Sequence, residues 1–250
     1  DCGGSLILFD KSRISCQRCK RKFPTKAGIP IFLPRIMDER QRKQILNQQQ
    51  IFNKECKETI TRYNLENWRQ SMLQRVFSSL GMPSSVKGYY ADFGVGRTGY
   101  TVIEAAKIGY QSVGVDVSFL GVQNAWRLAK NQKVESQTLF MVATLERLPF
   151  KNSSFQKVSS LSVLEHLEKD RQAIKELCRV TKEKIFVVVP NTYRRVCFFL
   201  WPFYLFADRK VGHLRHYSEE HLIEMFNKEH FIEGTINYNG HIIKFVQPFL

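Results

Sequence analysis

From Tyr89 onward, short apolar runs alternate with stretches whose apolar residues recur at three- and four-residue steps. The pattern predicts strands at 89–93, 112–116, 138–142, 155–161 and 185–189, and helices at 99–108, 119–130 and 168–180. Strands alternating with helices in this way form a parallel sheet covered on both faces, with a ligand site beyond the carboxyl ends of the strands. Residues 217–245 read as helix, strand and strand. Before the alternation, Tyr63, Leu65, Trp68, Met72, Leu73, Val76, Phe77 and Leu80 give residues 61–81 one apolar helical face, ending at Gly81 with Pro83 beyond. Residues 36–60 are polar, rich in Gln, Asn, Lys and Arg, and predict a helical linker of weak amphipathicity. No internal repeat or low-complexity tract is visible.

The first strand runs into Asp92-Phe93-Gly94-Val95-Gly96, and the second ends in Asp116, 22 residues after Gly94. Glycines at a strand-to-helix turn let backbone approach a ligand closely. An acidic residue at the end of the next strand can accept both hydroxyls of a ribose, and one β-α-β unit needs ~20 residues between the two. The segment therefore predicts a nucleoside site. Gly94, Gly96 and Gly99 also fit the dinucleotide pattern, but Asp92 would repel a pyrophosphate and attract an ammonium, such as that of S-adenosylmethionine (SAM). Downstream stand Leu148-Pro149-Phe150, Ser154-Phe155, Leu164-Glu165-His166 and the strand Ile185 to Val189 with Pro190-Asn191. Over about residues 85–235 this order resembles the small-molecule branch of the class I SAM-dependent methyltransferases.

That resemblance implies an α/β, Rossmann-like doubly wound fold with a mostly parallel seven-stranded sheet and an antiparallel last strand. It implies that Gly94 and Gly96 approach the cofactor, Asp92 faces its amino group and Asp116 takes the ribose hydroxyls. Val117 would lie on the adenine face, with Thr144 and Leu145 at the adenine edge. Thr144 stands where the family usually has Asp, and Arg97-Thr98 lengthen the glycine loop, leaving the role of Gly99 open. The helix before the first strand lies across the cofactor pocket in such enzymes, so Tyr63 and Trp68 are either ligand contacts or core. His166, near the methyl group in relatives, is either a general base for a hydroxyl acceptor or a structural residue of the following helix.

Between Asn191 and Tyr217 such enzymes build the acceptor site. Here Val196 to Phe206 is apolar but for Pro202 and is flanked by Arg194-Arg195 and Arg209-Lys210. It is too short for a membrane span and suits either a buried lid or an interfacial helix. The run His213 to Ser218 resembles the entry to the last helix of relatives.

Residues 1–34 are predicted to form a separate small unit. Cys16 and Cys19 have the spacing of one zinc knuckle, and Cys2 alone represents a second. Together with Phe23-Pro24 and Gly28-Ile29-Pro30-Ile31-Phe32-Leu33, the segment resembles the zinc-ribbon module of some methyltransferases and of activator proteins of tRNA methyltransferases. Cys2, Cys16 and Cys19 are thus candidate ligands of a structural zinc in a truncated or degenerate ribbon. Cys56, Cys178 and Cys197 are expected as buried thiols. The organisation expected is a zinc-ribbon-like module at 1–34, a helical linker and pocket helix at 35–84, and a methyltransferase domain at 85–250 with an acceptor lid at 191–217.

The net charge of +15 changes the list of partners, and sixteen Lys/Arg against seven Asp/Glu fall within residues 1–75. Such an excess is either a solvated basic surface or a footprint for RNA, an anionic membrane surface or phosphorylated metabolites. No stretch approaches the ~18 apolar residues of a membrane span. The absence of a signal-like start and six irregularly placed cysteines, free or metal-bound, predict a cytoplasmic protein. The expected activity is methyl transfer to a small, lipid-linked or sugar-linked acceptor. The alternatives are an rRNA or tRNA methyltransferase, disfavoured because Ser160-Leu161-Ser162-Val163 lacks the Asn-Pro-Pro-Tyr type of amine-activating motif, and a non-catalytic SAM-binding subunit.

Overall fold

The structure, a computed structural model, describes residues 4–10, 13–34, 39–55, 67–81, 88–190 and 212–229. Its main sheet has five parallel strands, β5 (Tyr89–Phe93), β6 (Gln111–Asp116), β7 (Thr138–Val142), β8 (Phe155–Leu161) and β9 (Thr181–Val188), in the order β7-β6-β5-β8-β9. Helices α3 (Tyr100–Lys107), α4 (Phe119–Asn131) and α5 (Asp170–Val180) lie in the β5–β6, β6–β7 and β8–β9 connections, and a loop joins β7 to β8. Each strand lies within four residues of its expected start, the largest shift being β9. Its first residues, Thr181 to Lys184, are mostly polar and pair at the sheet's outer side, so no apolar run announces them. Helix α6 (Glu219–Asn227) follows, N-capped by the Ser218 hydroxyl, which accepts from His221 N–H. The further strands of a seven-stranded sheet were expected beyond α6 and lie outside the described residues, as does the acceptor lid.

Side chains from the two sheet faces fill separate cores. Ala91, Phe93, Val115, Phe155 and Val158 pack with Ile174 and Leu177 of α5. Val102 and Ile103 of α3 pack with Val122, Ala125 and Leu128 of α4 over Phe140. Helix α2 (Asn67–Leu80) joins the latter side through Val76 and Leu80, against Tyr90 and Tyr110.

The N-terminal segment forms an antiparallel sheet, β1 (Leu6–Asp10), β2 (Arg13–Cys16), β3 (Lys22–Lys26) and β4 (Ile29–Pro30). It is joined to the main sheet at the β7 edge. Ile31 bridges Val142 in parallel, and Phe32 N–H donates to the Val142 carbonyl at 2.7 Å. Ile29 is buried in the core under α3 and α4, whereas Phe32 enters the core on the other face, its ring 5.0 Å from Phe23. An otherwise open sheet edge is thereby covered.

Gly99 shows how tightly this framework closes. It begins α3 with φ +56°, and a Cβ there would lie 2.9 Å from Ala125 Cβ and 3.0 Å from the Phe140 ring. Its role, open from the sequence, is close helix-to-helix packing. Gly99→Val is expected to cost ~1–3 kcal/mol by overpacking, before backbone strain is added. Chemical denaturation of the purified variant would show it, and an unchanged midpoint would contradict it.

Candidate functional site

The strand order reverses between β5 and β8, and an open α/β sheet binds its ligand beyond the carboxyl ends of the strands at such a point. A cleft of about 890 Å³, counting its open mouth, lies there. Gly94, Gly96, Asp116, Val117, Thr144, Leu145 and His166 all line it, so residues spread over 73 positions meet at one place. Gly96 has φ +57°, and a Cβ built on it would meet nothing within 4 Å, so the backbone is bare toward open space. Asp116 is held at the rim by two backbone donors, Gly96 N–H to Oδ2 at 2.9 Å and Ser118 N–H to Oδ1 at 2.8 Å. Burial raises its pKa, while the N–H donors of Ser118, Gly96 and Val117 oppose that rise.

Asp92 was expected to face the ligand, and here the geometry differs. Successive strand residues point to opposite faces, so Asp92 shares the face of Tyr90, under α3, and is not on the cleft wall. Its oxygens accept from the hydroxyls of Thr101 and Ser159. Because the Ser159 proton goes to Asp92, the Tyr90 hydroxyl donates to Ser159. Burial pushes the Asp92 carboxyl up from 3.8 to about 6, against the pull of these hydroxyls. A group whose folded pKa is raised stabilises the fold when protonated, fully below its unfolded pKa, and this is lost as pH rises through about 6. The shift corresponds to about 3 kcal/mol. Asp92→Asn is therefore expected to match the parent only below the unfolded value of 3.8 and to exceed its stability increasingly up to pH 8. Melting curves across that range test this, and parallel pH profiles would contradict it.

The wall facing the strands comes from α1 (Glu39–Glu55), in the segment expected to be a linker. Gln44, Ile45, Gln48 and Phe52 line the cleft. Gln44 Nε2 donates to the His166 carbonyl, Gln49 Nε2 donates to the Val117 carbonyl at 2.8 Å, and Ser118 Oγ donates to Asn53 Oδ1 at 2.8 Å. These bonds tie α1 to two cleft segments through polar side chains, which an apolar-periodicity criterion passes over. Trp68, on α2, is 42% exposed and lies beside Arg69, away from the cleft. Tyr63 lies outside the described residues.

Glu146 is a second residue that the sequence left unremarked. It is buried, lines the cleft, and accepts from Lys169 N–H at 3.0 Å through Oε1. Thr144 Oγ1 is 3.5 Å from its other oxygen. A carboxylate thus stands two residues beyond the position where the family's Asp is replaced by Thr. The Thr-x-Glu spacing after β7 was the available signal.

His166 belongs to a single helical turn, Leu164–His166, after β8. Its Nδ1 is 3.1 Å from the Gly212 carbonyl, and since a carbonyl only accepts, Nδ1 carries the proton and Nε2 holds the lone pair of the neutral ring. The ring meets Phe52 edge-on at 5.8 Å and His213 at 4.9 Å. The residues after His213 are structural. Arg215 pairs with Asp170 at 2.6 Å, and Tyr217 OH donates to Asp170 at 2.9 Å, locking the start of α5.

Of the metal candidates, Cys16 and Cys19 flank a tight turn in which Lys20 has φ +59° and its N–H donates to the Cys16 carbonyl at 3.0 Å. A Cβ on Gly4 would fall 2.6 Å from Cys16 Sγ, so backbone passes directly over that sulfur. Cys2 lies outside the described residues, as do Cys56 and Cys197. Cys178 is buried, and burial pushes its thiol up to about 12.

Residues 91–189 match the sequence model of a family described as methyltransferase domain. Norajmaline N-methyltransferase of Rauvolfia serpentina is 32% identical over 98 residues, which are 39% of this chain and 34% of that protein. Its ajmaline N-methyltransferase is 30% identical over 104 residues, 42% of this chain and 36% of that protein. The chain thus spans about a third of the length of these curated relatives. Among solved structures, the YcgJ protein from Bacillus subtilis superposes with a TM-score of 0.55 at 24% identity, over 64% of this chain and 68% of its own. Geranyl diphosphate C-methyltransferase from Streptomyces coelicolor, in complex with Mg2+, geranyl diphosphate and S-adenosyl-L-homocysteine, gives 0.54 at 14% identity, over 64% and 57%. Residues 91–189 are thus similar to a methyltransferase domain, and the sheet has the Rossmann-like fold of the superposed structures. Among the described residues, no helix is long and apolar enough to cross a membrane.

Proposed function

We propose that this protein is a SAM-dependent methyltransferase acting on a small-molecule acceptor. The observation that carries the reading is the meeting of Gly96, Asp116, Val117, Thr144 and Leu145 on one cleft at the strand-order reversal. The bare backbone at Gly96 leaves room for close ligand approach, Asp116 holds acceptor lone pairs for ribose hydroxyls, and Glu146 offers the adenine amino group a carboxylate in place of the family's Asp. SAM supplies an electrophilic methyl group. The chain's own task is to hold donor and acceptor in line, and such positioning can supply most of the rate enhancement. Asp92 acts from behind the glycine loop, through charge and through its grip on α3, rather than by contact.

The acceptor end is lined by Phe52, Leu161, Val163 and Leu167, with His166 Nε2 as the available proton acceptor. That apolar lining favours a small or lipid-linked molecule over an RNA base with its phosphates. The N-methyltransferase relatives support an amine among the candidate acceptors. The RNA alternative rests on the net charge of +15 and the ribbon-like N-terminal segment, whereas the membrane surface rests on the apolar run Val196–Phe206, which lies outside the described residues. Salt dependence separates them. An RNA enzyme making several phosphate contacts would lose affinity steeply, log K falling ~0.7 per contact on single strands. Weak, non-saturable RNA binding is expected, and transfer of labelled methyl to a single site in rRNA or tRNA would overturn the small-acceptor reading.

The Cys16–Cys19 turn fits a zinc knuckle, in which two thiolates from a tight turn take two of four tetrahedral positions. We infer that the N-terminal sheet is a zinc ribbon with Cys2 as a further ligand. Elemental analysis is expected to find zinc in the purified chain and about one equivalent less of it in Cys19→Ser. Zinc-free protein with reactive thiols would reject it.

A further inference from the structure

The acceptor end of the cleft carries a group of side chains that in-line methyl transfer does not by itself require. Glu165, His166 and His213 each offer a donor atom, and these atoms all lie within 4.8 Å of one another. His213 Nε2 is 3.9 Å from Glu165 Oε1, and Glu165 has no solvent exposure. The three residues come from two segments stitched together by backbone. Leu214 N–H donates to the Glu165 carbonyl at 2.8 Å, and the Gly212 carbonyl takes the bond from His166 Nδ1 at 3.1 Å. Gln44 of α1 holds the His166 carbonyl from the opposite side.

We propose that Glu165, His166 and His213 bind a divalent first-row transition-metal ion at the acceptor end of the cleft. The donor set decides the class of ion. One carboxylate and two imidazoles suit manganese, iron, cobalt or zinc, whereas magnesium and calcium take oxygen ligands. Metal–ligand bonds of ~2.0–2.2 Å would place the donors ~3.0–3.5 Å apart. The Glu165–His213 pair, at 3.9 Å, needs to close by about 0.4–0.9 Å, and no donor pair in the group is more than 4.8 Å apart. His213, whose side chain is 15% exposed and which follows Gly212 with its φ of +77°, has the freedom to do so. The bond from His166 Nδ1–H to a backbone carbonyl is the outer-shell contact that metal-ligating histidines usually make, and it fixes the ring with Nε2 unprotonated.

Three protein ligands leave coordination positions open. Resting on the methyltransferase reading, those positions belong to the acceptor. An oxygen bound there would lose its proton more readily and be held in one orientation, a task that would otherwise fall to the His166 imidazole. An acceptor with two neighbouring oxygens, able to chelate, is the substrate class this arrangement selects.

The probe is manganese, which thiolates of the N-terminal cysteines bind poorly. Chelator-washed full-length protein is titrated with Mn2+ while the signal of free Mn2+ is followed by electron paramagnetic resonance. One ion per chain is expected to be taken up saturably, with Cys16→Ser unchanged. His213→Ala and Glu165→Gln should each weaken it about tenfold or more. Should Glu165→Gln not fold, His213→Ala decides alone. Binding of S-adenosylhomocysteine to His213→Ala, measured calorimetrically, should stay within about twofold of the parent, so that loss of metal is distinguishable from loss of the cofactor site. No saturable uptake by the parent protein would overturn the proposal and leave a hydrogen-bonded Glu–His cluster. So would unchanged affinity in His213→Ala.

Discussion

Asp116→Ala is expected to weaken SAM binding by ~1.5–3 kcal/mol, the range for hydrogen bonds to a charged group. This is roughly ten- to more than a hundredfold in Kd. The carboxylate does two things in the structure. It accepts Gly96 N–H at 2.9 Å and Ser118 N–H at 2.8 Å, fixing the glycine loop against the start of α4, and it retains lone pairs for a ribose. Removing it therefore loses the ligand contact and loosens the loop. Asp116→Asn separates the two effects, because its amide oxygen can keep one backbone bond while the charge is gone. An intermediate affinity is expected for Asn, and Ala and Asn affinities both equal to the parent's would remove Asp116 from the site. The stability of Asp116→Ala should change less than its affinity, since burial already raises this carboxyl's pKa and its charged form gains little from folding.

Phe32→Ala is expected to cost ~3–5 kcal/mol if the N-terminal sheet stays docked, the usual penalty for emptying a buried phenylalanine site. The ring sits in the main core beside Phe23, and its backbone N–H closes onto the Val142 carbonyl. If docking of the small sheet is worth less than that, the sheet releases instead, and the loss is capped at the docking energy. Release would expose the β7 edge and the apolar surface that Ile29 and Phe32 cover, so a variant whose small sheet has released should associate at concentrations where the parent is dispersed. The effect should reach the ligand as well. Val142 is followed directly by Ala143, Thr144 and Leu145, which line the cleft. Removal of residues 1–34 should accordingly lower SAM affinity as well as stability. Light scattering and calorimetry on the truncated chain check this, and a monodisperse protein of unaltered affinity would show the small sheet to be independent of the site.

The β-α-β framework was legible because a parallel sheet buries both faces of each strand, so β5 to β7 carry short apolar runs, while β8, interrupted by Gln156, Lys157, Ser159 and Ser160, was placed by its alternation with the helix that follows. Their ends then carried Gly94, Gly96, Asp116, Thr144 and Leu145 to one cleft, as strand topology requires. The failures have equally specific causes. Asp92 lies in the glycine motif but on the strand face opposite Phe93, and a motif written as letters does not say which way a side chain points. Helix α1 lines the cleft with Gln44 and Gln48, and Gln44 and Gln49 are placed by hydrogen bonds to backbone carbonyls rather than by apolar burial. A polar, glutamine-rich stretch therefore looked like a linker. The aromatic stripe on α2 drew attention to Trp68, yet the buried positions of that helix are Leu73, Val76 and Leu80. His213 was read only as part of the run entering the last helix, because its meeting with Glu165 and His166 across 47 residues of chain is a proximity that only the fold creates.

The central claim is that the cleft between β5, β6 and β8 is a SAM site, and isothermal titration calorimetry of the purified chain tests it most directly. Both SAM and S-adenosylhomocysteine are expected to bind with a stoichiometry of one and a micromolar Kd, roughly −8 kcal/mol, while NAD gives no saturable heat. Saturable binding of NAD with neither SAM nor its demethylated product bound would contradict the account.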